Sequence, residues 1–152
     1  MNTLGIRAKP NAITIAVYDA DNSQLLNVED IKIPNALSVP ESLKYVRNNV
    51  LDVLREYSIR RAALRIIESN SQTIAIHRVE IEGVVQEAFA SSMLESYFCG
   101  QISSLSARLG IERKKFKKYV DGELIFDTIE EWAELTKEQR EAVLAAIGAS
   151  NV

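Results

Sequence analysis

The first 35 residues carry three short apolar runs separated by turn-prone residues. Residues 4–8, 12–18 and 25–33 are rich in β-branched side chains or alternate between apolar and polar positions, which is typical of strands. Pro10 and Asn11 provide turn chemistry between the first two runs, and residues 19–23 provide it between the next two. The pattern predicts an antiparallel three-strand meander over residues 1–35.

The apolar periodicity then changes from that of strands to that of helices. Ser38 and Glu41 have the spacing of a capping box at the start of a helix that runs to about residue 57. A short buried strand is predicted over residues 62–67, a long amphipathic helix over 73–92 and a further strand over 96–102. A helix between two strands implies a right-handed crossover, so residues 36–102 predict an α/β core with parallel pairing.

The remaining part, residues 103–152, is predicted to be helical. Short helices are expected over residues 103–109 and 112–120, with Gly110 as a C-cap of the first. The motif 127–130 predicts a capped helix through residue 135, and Thr136 with Gln139 predicts the cap of a last helix to residue 147. The chain is therefore expected to form a single α/β domain, residues 1–152, with a mixed sheet flanked by helices.

Composition excludes several classes of protein. A chain of 152 residues with 47% hydrophobic and 26% charged residues suits one soluble domain with a sizeable core. The net charge of -3 does not by itself demand a nucleic-acid partner, so any basic surface must be local. With one cysteine there is no internal disulfide framework, and the sequence shows neither a secretory signal nor an apolar run of membrane-spanning length. We expect a cytoplasmic protein that does not enter a membrane.

Glu68 is the first candidate site residue. It follows the predicted strand 62–67, and ligands of open α/β sheets bind outside the carboxyl ends of the strands. The alternative is a solvated carboxylate at the end of a strand.

Glu138 and Glu141 are three residues apart and therefore share a face of the last helix, together with Ala142 and Ala145. Either the larger residues on the opposite face form the core and both glutamates are solvated, or the alanines pack on the sheet and present the glutamates at its edge. Helical geometry alone favours the first alternative.

A basic cluster stands out in this acidic chain: five of the six residues 113–118 are cationic, and Arg108 precedes them. Such residues give salt-dependent, sequence-independent contacts with phosphates. Phe116 and Tyr119 would anchor the segment or stack on bases. The alternative is a solvated helix face whose charge is offset by nearby acids. The basic residues concerned are Arg108, Arg113, Lys114, Lys115, Lys117 and Lys118.

Other chemistry has little support. His77 is the only histidine and falls on the apolar side of its helix, which favours a hydrogen-bonded core residue over a general base. Cys99 lies in a predicted strand, where inert buried thiols are common. One histidine and one cysteine argue strongly against a zinc site, and the sequence contains no nucleotide-binding glycine motif.

The order β-β-β-α-β-α-β-α is the pattern of the ribonuclease H-like fold. Within that superfamily the chain resembles the RuvC-like branch, which contains Holliday junction resolvases. The resemblance rests on Leu4-Gly5-Ile6 in the first strand and on residues 64–68, 78–85, 95–97 and 138–146. The order of elements extends over almost the whole chain, whereas the individual motifs are short.

The resemblance implies an active site of carboxylates around two Mg²⁺ or Mn²⁺ ions, which here would be held by Glu68, Glu138 and Glu141 as catalytic residues and metal ligands. The family places an aspartate directly after Gly-Ile, and this chain has Arg7 there. A guanidinium repels a metal ion, so we expect Arg7 to form a structural ion pair with Glu68 instead.

Two functional hypotheses follow. One is a divergent metal-dependent nuclease that uses the three glutamates. The other, favoured by Arg7, is a protein that binds branched or duplex nucleic acid, DNA rather than RNA, with weak or lost hydrolysis. Arg7 and the basic cluster would then contact the nucleic acid, and the resemblance makes a homodimer plausible. A non-catalytic protein-interaction or scaffold domain on the same fold is the alternative.

Overall fold

A computed structural model describes residues 1–127 and 129–151. The strands are β1 (Asn2–Lys9), β2 (Ala12–Asp19), β3 (Gln24–Lys32), β4 (Ile59–Arg65) and β5 (Ser96–Gly100). The helices are α1 (Val39–Glu56), α2 (Ile76–Ser91), α3 (Ile102–Leu109), α4 (Arg113–Val120) and α5 (Lys137–Ala149), and a short 3₁₀ helix covers Trp132–Glu134. No helix within the described residues is long and apolar enough to cross a bilayer.

The five strands form one mixed sheet in the order β3-β2-β1-β4-β5. Pairing is antiparallel between β1 and β2 and between β2 and β3, which confirms the predicted meander. It is parallel between β1 and β4 and between β4 and β5. The carboxyl ends of β1, β4 and β5 therefore meet at one edge of the sheet, which is where ligands bind in open α/β folds.

Helices cover both faces of the sheet. On one face α1 and α2 pack over a core that includes Leu4, Ile6 and Ile15. On the other face α3, α4 and α5 pack over a second core that includes Ala63 and Trp132. Because successive residues of a strand point to opposite faces, Gly5 and Arg7 of β1 face α5 while Leu4 and Ile6 face the other layer.

Helix α5 lies unusually close to β1, and Gly5 is the reason. A Cβ atom at Gly5 would lie 2.0 Å from the carbonyl oxygen of Ala142 and 2.3 Å from the amide nitrogen of Ala146, so only glycine fits there. The hydroxyl of Thr3 donates a hydrogen bond to the carbonyl of Ala146 at 2.6 Å. The alanine face of α5 therefore packs directly against the backbone of the sheet.

The capping boxes predicted at Ser38 and at Thr136 are present. In α1 the Ser38 hydroxyl accepts from the Glu41 amide at 3.3 Å, and the Glu41 carboxylate accepts from the Ser38 amide at 3.0 Å. The same reciprocal pair joins Thr136 and Gln139 at the start of α5. The sequence spacing alone was sufficient here because a capping box is a local interaction.

Several predicted boundaries differ from the structure; the strand predicted over 96–102, for example, ends at Gly100. Three other differences are larger or affect the site. Strand β4 is Ile59–Arg65 rather than 62–67, so Glu68 lies three residues beyond its end. Helix α2 begins at Ile76 rather than at residue 73. The helix predicted from the motif 127–130 through 135 is reduced to the 3₁₀ helix Trp132–Glu134, with Asp127 at a positive φ of 50°; Thr128 of that motif lies outside the described residues.

Candidate functional site

The carboxyl ends of β1 and β4 each place an arginine at the edge of the sheet. Arg7 and Arg65 are register partners in the parallel pair. The Nη1 group of Arg7 donates a hydrogen bond to the Arg65 carbonyl at 3.0 Å. Two guanidinium groups thus lie at this edge of the sheet, and that of Arg7 stands where the resemblance would place an aspartate.

Both arginines point to one carboxylate, that of Glu141. Its Oε2 atom lies 3.0 Å from Nε of Arg7 and 3.1 Å from Nε of Arg65, although the N–H directions do not meet hydrogen-bond geometry at either contact. The three side chains are largely buried, with 15%, 11% and 4% of their surfaces exposed for Glu141, Arg7 and Arg65. In such an environment ion pairs are screened only weakly by salt.

Glu141 reaches the arginines because α5 lies close to the sheet. Ala142, Ala145 and Ala146 are fully buried, and Ala142 and Ala146 line the contact with Gly5. The observed arrangement is the second alternative for this helix, in which the alanines pack on the sheet and Glu141 lies at its edge. The alternative that helical geometry favoured, with both glutamates solvated, is wrong. Val143 and Leu144 are also fully buried, since α3 and α4 cover the outer side of α5.

Glu138 does not join this arrangement. It lies one turn before Glu141 and is half-buried, and its side chain forms no ion pair or hydrogen bond within residues 1–127 and 129–151. Sharing a helix face was therefore not enough to bring both glutamates to the same place.

Glu68 has a structural role that its position in the sequence did not predict. Its Oε2 atom accepts a hydrogen bond from the Ile102 amide at 3.2 Å, at the first residue of α3. The helix has no side-chain cap of its own, so this carboxylate satisfies an otherwise unpaired N–H group and complements the helix dipole. Glu68 also contacts Arg65 Nη1 and Arg113 Nη2, each at 3.4 Å. The expected pair between Arg7 and Glu68 is wrong: Arg7 pairs with Glu141, and Arg65 pairs with Glu68.

Helix α2 contributes a second buried pair. The Glu82 carboxylate, 5% exposed, accepts a hydrogen bond from the Ile67 amide at 3.1 Å and lies 3.4 Å from Nε of Arg78. It therefore holds the loop that follows β4 and leads to Glu68. We refer to all seven charged side chains as the arginine–glutamate cluster, which consists of Arg7, Arg65, Arg78, Arg113, Glu68, Glu82 and Glu141.

Burial and the neighbouring charges of the cluster shift the pKa of Arg7. Burial lowers the pKa of Arg7 to about 10; Glu141 opposes this shift, whereas the positive charges of Arg65 and Arg78 reinforce it. Arg7 is still cationic at neutral pH, so the cluster retains four positive and three negative side chains.

The residues present do not fit a two-metal centre. Within the described ranges no group of three or more His, Cys, Asp or Glu side chains is placed to hold a metal ion. Glu141 is held by two guanidinium groups and Glu68 by two arginines and an amide. Since a guanidinium neither ligates a metal nor loses its charge, the geometry does not support Glu68, Glu138 and Glu141 as a shared set of metal ligands or catalytic acids.

Basic residues continue from the cluster onto α4. Lys114, Lys115, Lys117 and Lys118 are exposed, and none of them forms an ion pair within the described part of the chain. Phe116 is 1% exposed and anchors the helix in the core, so it does not stack on bases. Acids do not offset these lysines by direct pairing: Asp121, for example, pairs with Lys137 at 3.3 Å.

The side chains of the other basic candidates are held by contacts within the protein. The guanidinium carbon of Arg108 lies 3.9 Å from the centroid of the Phe98 ring, which fixes the side chain against β5. Arg113 is 60% exposed and bridges to Glu68, so it joins α4 to the cluster. Arg7 is buried in the cluster and is not part of the exposed lysine surface.

His77 and Cys99 are not part of the arginine–glutamate cluster. His77 is half-buried and its Nδ1 atom lies 3.2 Å from Glu80 on the surface of α2, rather than in the core as expected. Burial, with a smaller contribution from the charge of Glu82, raises the pKa of the Cys99 thiol to about 11. A thiol with so high a pKa is a poor nucleophile at neutral pH.

No family model matches the sequence, and no curated protein matches it either. Solved structures do match. RuvC from Thermus thermophilus aligns with a TM-score of 0.72 and 16% identity over 99% of this chain and 94% of that chain. The chain has the RuvC fold.

Two further structures extend the comparison with the RuvC fold. T. thermophilus RuvC in complex with a Holliday junction substrate gives a TM-score of 0.70 at 18% identity, over 99% of this chain and 93% of that one. The yeast mitochondrial Holliday junction resolvase Ydc2 gives 0.61 at 9% identity, over 98% of this chain and 78% of that one. The predicted RuvC-like fold is confirmed, and at these identities the likeness is one of fold.

Sequence reasoning missed Arg65, Arg78 and Glu82. A signal was available for the last two, since Arg78 and Glu82 have the i, i+4 spacing of a helical ion pair. Arg65 precedes Glu68 by three residues, but only the register of β4 against β1 makes it the neighbour of Arg7. That register is a property of the assembled sheet.

Proposed function

We propose that this protein binds branched or duplex DNA on its RuvC fold and has weak or no hydrolytic activity. The observation that supports the proposal most directly is the pair of contacts from Arg7 and Arg65 to Glu141, at 3.0 and 3.1 Å. Two-metal hydrolysis needs carboxylates that are free to ligate cations, and here the carboxylate is already neutralised by guanidinium groups.

The exposed lysines of α4 support the binding half of the proposal. They lie on the helix whose first residue, Arg113, bridges to the cluster. Lysines without intramolecular partners keep their full charge available for phosphates, and phosphate contacts supply most of the affinity for nucleic acid whatever its sequence. A homodimer with two such surfaces is part of the proposal, by analogy with the resolvase fold.

The test is a titration of the full chain against a DNA four-way junction and a matched duplex, at low and raised salt, in EDTA and in Mn²⁺. We expect salt-sensitive binding without cleavage. Single Lys→Gln changes at positions 114, 115, 117 and 118 should each lower the slope of log affinity against log salt by about 0.9 for every phosphate that the lysine neutralises in the wild type. Lys44→Gln, on the exposed side of α1 in the opposite helical layer, is the matched control and should leave the slope unchanged.

Each other outcome of the titration has a definite meaning. Rapid metal-dependent cleavage would restore the divergent nuclease hypothesis and contradict the weak or lost hydrolysis of the proposal. Replacing DNA with RNA of the same secondary structure tests the preference for DNA. Analytical ultracentrifugation of the free protein tests the homodimer.

The second candidate function is a protein-interaction domain, and one surface favours it. A pocket of about 500 Å³ lies at the amino end of β4, between the ends of α1 and α2, and its lining includes Leu51, Leu54 and Leu94. Met93, which also lines this pocket, is 96% exposed. Exposed apolar surface of this kind is typical of protein contacts. Absence of DNA binding in the titration would favour this function over the first.

A further inference from the structure

Two lysines lie at the tip of the β-meander, at the carboxyl edge of the sheet. Lys9 is the last residue of β1 and Lys32 the last of β3, and the strand register aligns both with Ala12 of β2. Because register partners point to the same face of a sheet, both lysines lie on the face that carries α5, as Gly5 and Arg7 do. Adjacent strands are about 4.8 Å apart, which places the backbones of the two lysines about 10 Å from each other.

Neither lysine has a charged partner in the described part of the chain. Lys32 is exposed and Lys9 is partly exposed, and neither side chain forms an ion pair or a hydrogen bond within residues 1–127 and 129–151. Asp30 lies two residues before Lys32 on the same face of β3, but it accepts a hydrogen bond from the hydroxyl of Thr14 at 2.6 Å. The charges of the two lysines are therefore available to an external anion.

A groove beside Lys32 adds neutral hydrogen-bonding groups to this surface. It has a volume of about 350 Å³ and is lined by Asn11, Lys32, Ile33, Pro34 and Asn35. The Ile33 amide donates to the Asn11 carbonyl at 2.9 Å, which joins the turn between β1 and β2 to the segment after β3. The side chains of Asn11 and Asn35 are exposed and form no hydrogen bond within the described residues. Lysine and asparagine side chains are both among the groups that contact the phosphates and sugars of DNA. We call Lys9, Asn11, Lys32 and Asn35 together the meander patch.

The meander patch and the lysines of α4 lie toward opposite ends of the row of strands, at the same edge of the sheet. Strands β3 and β4 are separated by β2 and β1, so three strand spacings place them about 14 Å apart. Arg113, the first residue of α4, bridges to Glu68 just beyond the end of β4. This separation is close to the width of the major groove of B-DNA, about 12 Å, so one duplex can contact both basic surfaces.

We propose that the meander patch is a second contact surface for the DNA backbone, and that one duplex contacts it and the lysines of α4 at the same time. The inference deepens the proposed function and rests on it, because it adds contacts to the DNA that the α4 lysines bind. Lys9 and Lys32 supply the charge, and Asn11 and Asn35 donate neutral hydrogen bonds to the same backbone. The DNA then crosses the carboxyl edge of the sheet, over the arginine–glutamate cluster.

The experiment measures the affinity of the full chain for a fluorescently labelled duplex and four-way junction over a range of salt concentrations, for the wild type and two double variants. Lys9→Gln/Lys32→Gln removes both charges of the meander patch. Arg55→Gln/Arg60→Gln is the matched control, because it removes two charges at the opposite edge of the sheet, at the end of α1 and the start of β4. These two arginines already pair with Asp52 and Glu95.

We expect Lys9→Gln/Lys32→Gln to lower the slope of log affinity against log salt by about 1.8, that is, by about 0.9 for each phosphate that a lysine neutralises. Binding at 0.1 M salt should weaken by more than about tenfold, and equally for duplexes of unrelated sequence, since backbone contacts carry no sequence information. The control should keep the wild-type slope and stay within about twofold of the wild-type affinity. Lys9→Arg/Lys32→Arg keeps both charges and should keep the slope.

The possible results distinguish the meander patch from the proposed function. If the wild type binds DNA and Lys9→Gln/Lys32→Gln keeps the wild-type slope and affinity, the meander patch is wrong and the proposed function stands. An equal loss in this variant and in the control reflects net charge alone and also overturns the patch. If the wild type binds no DNA, the proposed function is wrong and the inference falls with it. If the double variant fails to fold, the exposed Lys32→Gln alone should lower the slope by about 0.9.

A combined variant tests whether one duplex contacts both surfaces. Adding Lys117→Gln and Lys118→Gln to Lys9→Gln/Lys32→Gln should lower the slope by the sum of the two double-variant losses, because each lysine releases its own counterions from the same duplex. The wild type should then bind no more than one duplex per chain. Two duplexes per chain, with one lost in each double variant, would overturn the shared duplex.

Discussion

Nε of Arg7, at the end of the first strand, lies 3.0 Å from Oε2 of Glu141 on the last helix. The two residues are 134 positions apart in the sequence, and the pair closes the edge of the sheet at which the RuvC resemblance predicted metal ions. Because Arg65 contacts the same oxygen at 3.1 Å, one carboxylate serves two cations. This shared contact has consequences for stability as well as for function.

Loss of Glu141 should cost more stability than loss of Arg7. Glu141→Gln leaves the largely buried Arg7 without a carboxylate and leaves Arg65 with Glu68 alone, whereas Arg7→Gln leaves Glu141 paired with Arg65. Breaking a buried pair costs about 3–5 kcal/mol, and we expect Glu141→Gln near the lower end of that range and Arg7→Gln about half as much. Urea unfolding of the two variants measures the difference. Glu138→Gln on the same helix is the control and should change the free energy of unfolding by less than about 0.5 kcal/mol; an equal loss for all three variants would contradict the shared contact.

Gly5 and Gly83 should respond to alanine in opposite directions. At Gly5 a Cβ would lie 2.0 Å from the backbone of α5, so Gly5→Ala must displace the helix and should destabilise by about 3 kcal/mol or more. At Gly83, in the middle of α2, a Cβ meets nothing within 4 Å, and Gly83→Ala should stabilise by about 0.5–1 kcal/mol through helix propensity. Thermal unfolding compares the two. A neutral Gly5→Ala variant would show that α5 does not lie this close to β1.

Glu68 should behave as a structural residue. Glu68→Ala removes the acceptor for the first amide of α3 and the partner of Arg65 and Arg113, and we expect a loss of about 1–3 kcal/mol. Glu68→Gln keeps an acceptor oxygen but removes the charge, so it should lose less. Urea unfolding and hydrogen exchange of the α3 amides measure both effects. If both variants are as stable as the wild type, Glu68 is not the cap of α3.

Cys99 should react slowly with thiol reagents. The thiolate is the reactive form, and a rise of the pKa from 9.0 to about 11 lowers its fraction at pH 8 by about a hundredfold. The alkylation rate with iodoacetamide, compared with that of a cysteine peptide, should therefore be at least that much lower and should increase with pH up to about 11. A rate at pH 8 equal to that of the peptide would contradict the burial of this thiol.

The sequence was most informative where interactions are local. The meander, the two capping boxes and the order of helices and strands follow from periodicity and turn chemistry, which act over a few residues. The motif at residues 127–130 shows the limit, because only a 3₁₀ helix forms at Trp132–Glu134. There Arg140 of α5 donates to the carbonyls of Trp132, Ala133 and Val120, a tertiary contact that the local motif does not encode.

The sequence by itself determined the fold class, the anomaly of Arg7 and the basic character of α4. Only the tertiary structure decided which charges meet. The pair between Arg7 and Glu141 depends on the approach of α5 to Gly5, and the proximity of Arg7 and Arg65 depends on the register of two parallel strands. Ion pairs between side chains far apart in sequence are set by the packing of backbones, and no periodicity in the chain encodes them.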